Sequence, residues 1–314
     1  MPDPARLRLV ERVLARIVGR EREVELVVAA LAADRHVLLE GPPGTGKSTL
    51  LRAVADELGI GFEFVEGNAE LTPARLVGHF DPARVLDAGY DPDVFVDGPL
   101  VSAMRDGSLL YIEEINRIPE ETLNVLVTVM SERELHVPRL GRVSAARGFR
   151  LVAAMNPFDA IGTARISSAI YDRVCRLAVG YQDASDEEAI VVRDAGERPI
   201  DSVWLGKVVE VVRRTREHPD VRIGSSVRGA IDAAAVAATL GELRGAPATD
   251  PAVALDAAIV ALSGRLRLRE GVPRSADEIV IELWNSVFGP AEVDGDARGG
   301  AGKATAPTGA ILAR

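Results

Sequence analysis

The residues with the clearest chemical signature lie at positions 41–48, where the sequence reads Gly-Pro-Pro-Gly-Thr-Gly-Lys-Ser. This spacing matches the phosphate-binding loop G-x-x-x-x-G-K-[ST], whose glycines let backbone N–H groups surround a phosphate at a helix N-terminus. In such a loop Lys47 reaches the β- and γ-phosphates, and the Ser48 hydroxyl is a ligand of Mg²⁺. A plain Gly-Pro turn would explain neither the Lys-Ser pair nor the flanking elements. We therefore expect a nucleotide to contact Gly41, Pro42, Pro43, Gly44, Thr45, Gly46, Lys47, Ser48 and Thr49.

A second chemical signal is the apolar run at 108–113, which ends in Glu113 and is followed by Glu114. In phosphate-loop ATPases the first acid at such a strand end holds the Mg²⁺ shell. The second can polarise an attacking water as a general base. Glu113 is therefore a candidate metal ligand, directly or through a water, and Glu114 is the candidate base. The usual first acid is Asp, and the extra methylene of Glu113 shifts its contact with the metal.

Four further polar residues are candidates for the same chemistry. Asn156 follows the apolar run 150–155 and could hold the attacking water, although an isolated Asn-Pro pair is typical of a turn. Arg117, Arg173 and Arg228 could each neutralise a transferring phosphoryl group, because a planar guanidinium matches its charge and shape. An isolated arginine is otherwise a solvated surface charge.

The elements that must position these residues follow an alternating pattern in the first part of the chain. Short apolar runs, rich in Val, Leu, Ile or Phe, are separated by helical patterns at 48–58 and 120–132. Such runs are typical of parallel strands buried on both faces, and the alternation predicts an α/β fold with an αβα core. Cys175 lies in the last run, and we interpret it as a small buried apolar residue. The runs are 36–40, 62–66, 108–113, 150–155 and 175–179.

After about residue 181 the strand-like runs disappear and helical spacing takes over. Capping-box patterns at 185–188 and 275–278 indicate helix starts. Helical spacing continues at 203–216, 226–240 and 252–262. The pattern predicts a core domain at 1–183, an all-helical domain at 184–290 and a flexible Gly-, Ala- and Pro-containing tail at 291–314.

Length and composition exclude several classes of protein. A chain of 314 residues favours two domains, and 47% hydrophobic with 27% charged residues excludes global disorder. The sequence lacks an apolar run of about 18 residues and a signal-peptide pattern, which predicts a cytoplasmic protein without a membrane segment. A single cysteine excludes an internal disulfide and a multi-cysteine metal site. The net charge of −10 argues against non-specific binding to nucleic acid or anionic membrane.

Taken together, these motifs resemble the AAA+ ATPases and, within them, the MoxR-like family. The resemblance covers about residues 14–240 and rests on GPPGTGKS, LLYIEEINRIPEETLNVLVTVMSERE, AAMNP and GSSVR. The stretch EINR-x-P, followed by a helix ending in M-x-E-R, is specific to MoxR-like and closely related ATPases. Two departures are Glu113 in place of Asp, and Ser-Ser-Val before Arg228 where Ala-Ser-Pro is more usual.

The resemblance implies roles for the nucleotide-binding residues. Residues 41–48 match the Walker A motif, and 113–114 match the Walker B motif. Val18 and Gly19 match the segment that lines the adenine pocket. The fold implied is an αβα core with a helical lid, and the nucleotide, ATP or ADP with Mg²⁺, lies between them.

The resemblance also implies roles for three residues farther along the chain. Asn156 matches sensor 1 and Arg228 matches sensor 2. Arg173 matches the arginine finger, which acts on the nucleotide of the neighbouring subunit.

Two insertions of the family have counterparts in the chain. Residues 68–104 occupy the position of the helix-2 insert, and 135–148 resemble the hairpin that precedes sensor 1. The basic residues of the predicted hairpin are Arg139, Arg142 and Arg147.

The leading function implied by this resemblance is ATP-driven remodelling or maturation of a client protein. MoxR-like proteins form hexameric rings and act with partners that carry a von Willebrand factor A domain. A nucleotide-gated assembly scaffold with negligible hydrolysis is the alternative, supported by Glu113 in place of Asp. A phosphate-loop kinase would leave the helical domain and the sensor arginine unexplained. The acidic balance counts against a DNA-directed AAA+ role.

Overall fold

The chain is described by a computed structural model over residues 4–157, 166–196 and 198–289. The predicted tail at 291–314 lies outside these residues. The strands are β1 (His36–Glu40), β2 (Phe62–Glu66), β3 (Gly78–Phe80), β4 (Phe95–Asp97), β5 (Leu109–Glu113), β6 (Glu134–Val137), β7 (Gly141–Ser144), β8 (Arg150–Met155), β9 (Val174–Ala178), β10 (Val221–Ile223) and β11 (Arg267–Leu268).

Helices surround these strands and make up most of the rest of the described residues. Three short 3₁₀ helices lie at Pro92–Val94, Ile115–Arg117 and Ser263–Arg265. The α-helices are α1 (Pro4–Leu14), α2 (Glu21–Ala32), α3 (Lys47–Leu58), α4 (Pro73–Val77), α5 (Pro82–Ala88), α6 (Pro99–Asp106), α7 (Glu120–Glu132), α8 (Ser168–Tyr171), α9 (Ala184–Ala195), α10 (Ser202–Glu217), α11 (Val227–Arg244), α12 (Pro251–Leu262) and α13 (Ala276–Phe288).

The central feature is a five-stranded parallel sheet with the order β2-β5-β8-β1-β9. It confirms the predicted α/β fold, and each of its strands coincides with a predicted apolar run to within one residue. Side chains alternate between the two faces of β1, so that Leu39 packs with α3 on one face and Leu38 packs with α7 on the other. Because helices cover both faces, all five residues of β1 are buried.

The position of Cys175 differs from the sequence prediction, which placed it in the core. Its side chain is exposed. The reason is that β9 is an edge strand, and of its five residues only Leu177 is buried. A strand at the edge of a sheet gives the same apolar pattern as a central one, but only part of it is covered.

The region after β9 is helical, with one exception to the prediction. Helices α9 to α13 share a hydrophobic core that includes Trp204, Val212 and Leu283. The predicted all-helical character is wrong at β10 and β11, which form an antiparallel pair. These strands have three and two residues, too few to show an alternating pattern in the sequence.

The two predicted capping boxes have different outcomes. Ser275 forms the box as predicted: its hydroxyl accepts from the backbone N of Glu278, and the Glu278 carboxylate accepts from the backbone N of Ser275. Ser185 lies inside α9 instead, and the cap is Asp183, whose carboxylate accepts from the backbone N of Asp186 at 2.9 Å. Asp183 is also a preferred N-cap residue, so the start of α9 moves by two positions.

Two antiparallel pairs lie outside the parallel sheet, where the insertions are predicted. The pair β3–β4 falls within the predicted segment 68–104, and the pair β6–β7 spans 134–144, beginning one residue before the predicted segment 135–148. Arg139, at the tip of the second pair, has φ +67° and places its guanidinium 3.6 Å from the ring centroid of Tyr90. This cation–π contact joins the hairpin to the insert. Within the part of the chain that the structure describes, no helix has the length and apolar character to cross a membrane.

Candidate functional site

The phosphate loop connects the carboxyl end of β1 to the first residue of α3. Gly44 and Gly46 have φ values of +72° and +78°, which favour glycine. A Cβ at Gly46 would meet no atom within 4 Å, whereas a Cβ at Gly44 would lie 2.2 Å from Oγ of Ser226. Gly44 therefore lets the residue before α11 approach the loop directly.

Lys47 lies inside this loop and is buried. Its Nζ donates hydrogen bonds to the carbonyl oxygens of Gly41 at 3.0 Å and Pro42 at 2.8 Å. The hydroxyl of Thr45 donates to the Pro42 carbonyl at 3.0 Å and so supports the same turn. The ammonium group is held at the centre of the loop, where a phosphate would need a counter-charge.

The environment of Lys47 sets a pH dependence. Burial lowers the pKa of Lys47 to about 8; Glu113 opposes this shift, while Arg20 and Arg228 add to it. Without nucleotide, the loop loses its positive charge as the pH rises through about 8, and a bound phosphate keeps Lys47 protonated. We therefore expect the dissociation constant for ADP, measured by calorimetry, to rise about tenfold between pH 7 and pH 9.

A matched variant isolates this effect from the titration of the nucleotide. Lys47→Arg keeps its charge over the whole range because a guanidinium stays protonated. Its ADP affinity should be nearly constant between pH 7 and pH 9. The same tenfold change in both proteins would show that another group titrates.

Ser48 and Glu113 lie next to each other although they are far apart in the sequence. The Ser48 hydroxyl lies 3.3 and 3.4 Å from the two carboxylate oxygens of Glu113, and 3.2 Å from the hydroxyl of Tyr111. Tyr111 and Glu113 point to the same face of β5, and burial raises the pKa of Tyr111, which keeps its hydroxyl neutral. Oxygen ligands such as these two suit Mg²⁺, which takes few protein ligands beside phosphate and water. The longer Glu113 side chain thus reaches Ser48, the other predicted ligand of Mg²⁺.

Glu114 follows in a strained turn. Its φ is +53°, a left-handed value that is uncommon for a residue with a side chain. Its carboxylate lies 3.0 Å from Nε of Arg117. The turn packs against the loop after β2, because a Cβ at Gly67 would lie 2.4 Å from the carbonyl oxygen of Glu114. Backbone strain of this kind is often found at functional sites.

Two further predicted residues lie beside the loop. Asn156 follows β8, and the carbonyl of the preceding Met155 accepts from the backbone N of Gly41 at 3.1 Å. Arg228 is the second residue of α11, and a Cβ at Gly44 would lie 3.8 Å from its Cδ. The fold therefore brings Asn156 and Arg228 to the phosphate loop from two different elements.

A cavity of about 510 Å³ extends from the phosphate loop to helices α9 and α11. Small-molecule sites usually have volumes of roughly 300–1,000 Å³. Gly44, Thr45, Gly46 and Thr49 line the phosphate end, and Ile17, Val18, Ile190 and Ile231 give it an apolar side. Gly19 lies next to Val18 with φ +62°, and a Cβ there would lie 1.9 Å from a carboxylate oxygen of Asp186. The apolar side of this cavity is a candidate position for a nucleotide base.

Arg20 is a residue of this site that the sequence analysis missed. It is buried and donates to the carbonyl oxygens of Thr45 at 2.9 Å and Gly180 at 2.7 Å, and to Oε1 of Gln182 at 3.1 Å. Gln182 in turn donates to the carbonyl of Val18 at 2.8 Å. A single arginine before a helix is normally a solvated charge, so its place beside Val18 was the only signal.

Arg173 is the predicted residue that the fold does not bring to the loop. It precedes β9, whose first residue, Val174, pairs with His36 at the start of the parallel strand β1. The phosphate loop follows the other end of β1, about 16 Å away at roughly 3.3 Å per strand residue. The Arg173 guanidinium donates to the carbonyl of Ala169 at 2.8 Å and to Oγ of Ser131.

Comparisons with known proteins agree with this architecture. The sequence-family model described as AAA domain (dynein-related subfamily) matches residues 36–174. An uncharacterised protein of Staphylococcus saprophyticus is 30% identical over 205 residues, which cover 63% of this chain and 76% of the relative. The uncharacterised protein YeaC of Bacillus subtilis is 29% identical over 248 residues, which cover 71% and 74%. A Staphylococcus epidermidis relative is 32% identical over 165 residues, but only 62% of its length is covered.

Solved structures show the same fold at lower sequence identity. The chain resembles the crystal structure of a candidate ATPase of Cytophaga hutchinsonii, with a TM-score of 0.51, 19% identity and coverage of 90% and 94% of the two chains. The RuvB Holliday junction branch migration motor of Thermotoga maritima gives a TM-score of 0.55 at 19% identity, over 80% and 72%. The fold and the phosphate loop define a phosphate-loop protein of the AAA+ type. The chain belongs to the AAA+ ATPase family, with an AAA domain of the dynein-related subfamily.

Proposed function

We propose that the chain is a MoxR-like AAA+ ATPase that hydrolyses ATP with Mg²⁺ and uses the energy to remodel or mature a client protein. The observation that carries the ATPase part is the contact between Ser48 and Glu113, at 3.3 Å, directly after the loop in which Lys47 is held by the Gly41 carbonyl. A cation for phosphate oxygens and two oxygen ligands for a metal then lie side by side. A structural turn would need neither.

The residues divide the chemistry among them. Lys47 would exchange its carbonyl partners for phosphate oxygens, and Ser48 and Glu113 would hold Mg²⁺, which would neutralise charge on the phosphates. Glu114 accepts a proton from the attacking water, which Asn156 orients. The Glu114 carboxylate faces Arg117, so this contact must loosen before Glu114 can act.

The remodelling part of the proposal rests on the resemblance to MoxR-like proteins and on the two antiparallel pairs. Leu86 and Tyr90, in the region of the helix-2 insert, are 87% and 49% exposed. Tyr90 already contacts Arg139, so Leu86 is the candidate contact for a protein client. The proposal includes a hexameric ring and a partner with a von Willebrand factor A domain.

The contact between Glu114 and Arg117 favours a second candidate, a nucleotide-gated assembly scaffold with negligible hydrolysis. A base held by a cation at 3.0 Å would activate water slowly. Steady-state ATPase measurements at increasing protein concentration, with and without a von Willebrand factor A partner, separate the two. Turnover that stays negligible in the assembled protein would favour the scaffold.

Replacing Lys47 by Ala tests nucleotide binding itself. The change removes the ammonium group from the loop and leaves phosphate charge uncompensated, so ADP affinity should fall by at least about 10²-fold. Calorimetry with Mg²⁺ measures the dissociation constant. Lys207→Ala, which removes an amine from α10 that lies near Phe288, is the matched control and should bind normally. Wild-type affinity in Lys47→Ala would refute the site.

A further inference from the structure

The turn at 224–226, which precedes α11, is packed tightly between the phosphate loop and α10. On one side, Ser226 lies against Gly44, where a Cβ would come within 2.2 Å of its Oγ. On the other side, a Cβ at Gly224 would lie 2.6 Å from the backbone N of Arg216. Arg228 follows this turn as the second residue of α11. The contacts between α10 and the turn therefore help to set the position of Arg228.

Two side chains of α10 form hydrogen bonds with the backbone of Ser225, a residue of this turn. The hydroxyl of Thr215 accepts from the backbone N of Ser225 at 2.9 Å, and Nε of Arg216 donates to the Ser225 carbonyl at 2.7 Å. Thr215 and Ser225 are buried. Both polar groups of the Ser225 backbone are thus fixed by α10, three residues before Arg228.

Arg216 is itself fixed on its other sides. Its NH1 lies 2.8 Å from a carboxylate oxygen of Glu187, which is 1% exposed. Its guanidinium stacks on Tyr181, 3.9 Å from the ring centroid. An ion pair and a cation–π contact leave the guanidinium little freedom to move.

These partners belong to the connection that also holds the phosphate loop. Tyr181 is followed by Gln182, whose side chain accepts from Arg20, and Arg20 donates to the carbonyl of Thr45 in the loop. The side chain of Arg213 donates to the carbonyl of Gln182 at 2.9 Å. Arg216 therefore fixes the turn before Arg228 relative to the loop on which Arg228 is proposed to act.

We propose that Arg216 is a positioning residue for Arg228, which keeps the Arg228 guanidinium aligned with the terminal phosphate of the bound nucleotide. The inference rests on the proposed nucleotide site. A buried Arg–Glu pair contributes little net stability, because desolvation offsets the attraction. The hydrogen bond from Arg216 to the Ser225 carbonyl gives this ion pair a role in fixing the turn. In the sequence, Arg216 is only one of three arginines near the end of a helix.

The test compares Arg216→Met with Arg214→Met in steady-state ATP hydrolysis. Arg214 is a neighbouring arginine of the same helix that pairs with Glu210 at 2.7 Å, on the surface. Misplacing a group by about 1 Å can cost about 10²-fold. We expect Arg216→Met to lower kcat by about tenfold to 10²-fold with ADP affinity nearly unchanged, and Arg214→Met to behave as the wild type.

A double-mutant cycle separates positioning from a general loss of structure. If Arg216 acts through Arg228, then Arg216→Met should have almost no further effect in an Arg228→Ala background. The same cycle on the dissociation constant for ATPγS, a slowly hydrolysed analogue, tests the inference even in a chain with negligible hydrolysis. Effects that multiply in both measurements, or an Arg216→Met that behaves as Arg214→Met, would overturn it.

A second variant covers the case in which Arg216→Met does not fold. Glu187 also lies 3.4 Å from NH1 of Arg213, so Arg216→Met removes one of its two cations, and Glu187→Gln is added to Arg216→Met to remove the less well compensated buried charge. The double variant Arg216→Met/Glu187→Gln should fold and keep the low kcat. Added to Arg228→Ala, it should lower kcat no further. Arg216→Lys should recover part of kcat, because an amine can still donate to Ser225. Normal turnover in the folded pair would overturn the inference.

Discussion

Replacing Glu114 by Gln is expected to lower ATP turnover by about 10²–10⁴-fold while ATP stays bound. This is the usual contribution of a positioned general base to the rate. The amide has nearly the shape of the carboxylate and can occupy the same turn at φ +53°. It cannot accept a proton from the attacking water. Steady-state hydrolysis gives the turnover, and calorimetry with Mg²⁺ gives the affinity.

The neighbouring acid provides the matched control. Glu113 lies against Ser48, at 3.3 Å. Glu113→Gln should therefore raise the Mg²⁺ concentration needed for half-maximal activity, with a smaller loss at saturating Mg²⁺. Exchanged phenotypes, with Glu114→Gln sensitive to Mg²⁺ and Glu113→Gln inactive, would mean that the roles of the two acids are assigned in the wrong order.

Replacing Arg173 by Ala is expected to lower turnover by about 10³-fold with nearly normal ATP binding. An arginine finger is worth about 10³–10⁵-fold in GTPases, and the lower end is expected because Arg228 supplies another cation. Arg173 lies at the opposite end of the parallel strands from the loop of its own chain, so we expect it to act on the nucleotide of a neighbouring copy. Wild-type turnover per chain should therefore rise with protein concentration.

Mixing two inactive variants tests this arrangement directly. Lys47→Ala supplies an intact Arg173, and Arg173→Ala supplies an intact phosphate loop. Mixed assemblies should recover turnover, measured against each variant alone at the same total concentration. If co-assembly is verified and turnover stays at the level of the single variants, Arg173 does not act on a neighbouring subunit.

Much of the fold could be predicted from the sequence because its signals are local. The run 36–40 and the helix after it are recognisable by their composition, and they enclose the phosphate loop. The apolar pattern also placed 62–66 and 150–155 correctly. The pattern is less informative at an edge strand, which is why Cys175 was assigned to the core and lies on the surface.

The sequence could not reveal residues whose role depends on distant partners. Arg20 and Arg216 both have the local pattern of surface charges next to helices. Each can be largely buried because carbonyl oxygens from other elements accept its hydrogen bonds. No spacing in the chain encodes those partners.

By itself, the sequence determined the chemistry that is available: a phosphate loop, two acids after a strand and a set of candidate cations. These are properties of adjacent residues, and adjacent residues keep their spacing in any fold. Only the tertiary structure decided which of them meet. Ser48 and Glu113 are 65 positions apart and are joined because parallel strands end at the same edge of the sheet. Arg228 reaches the loop and Arg173 does not, because long-range packing sets where each helix and strand begins in space.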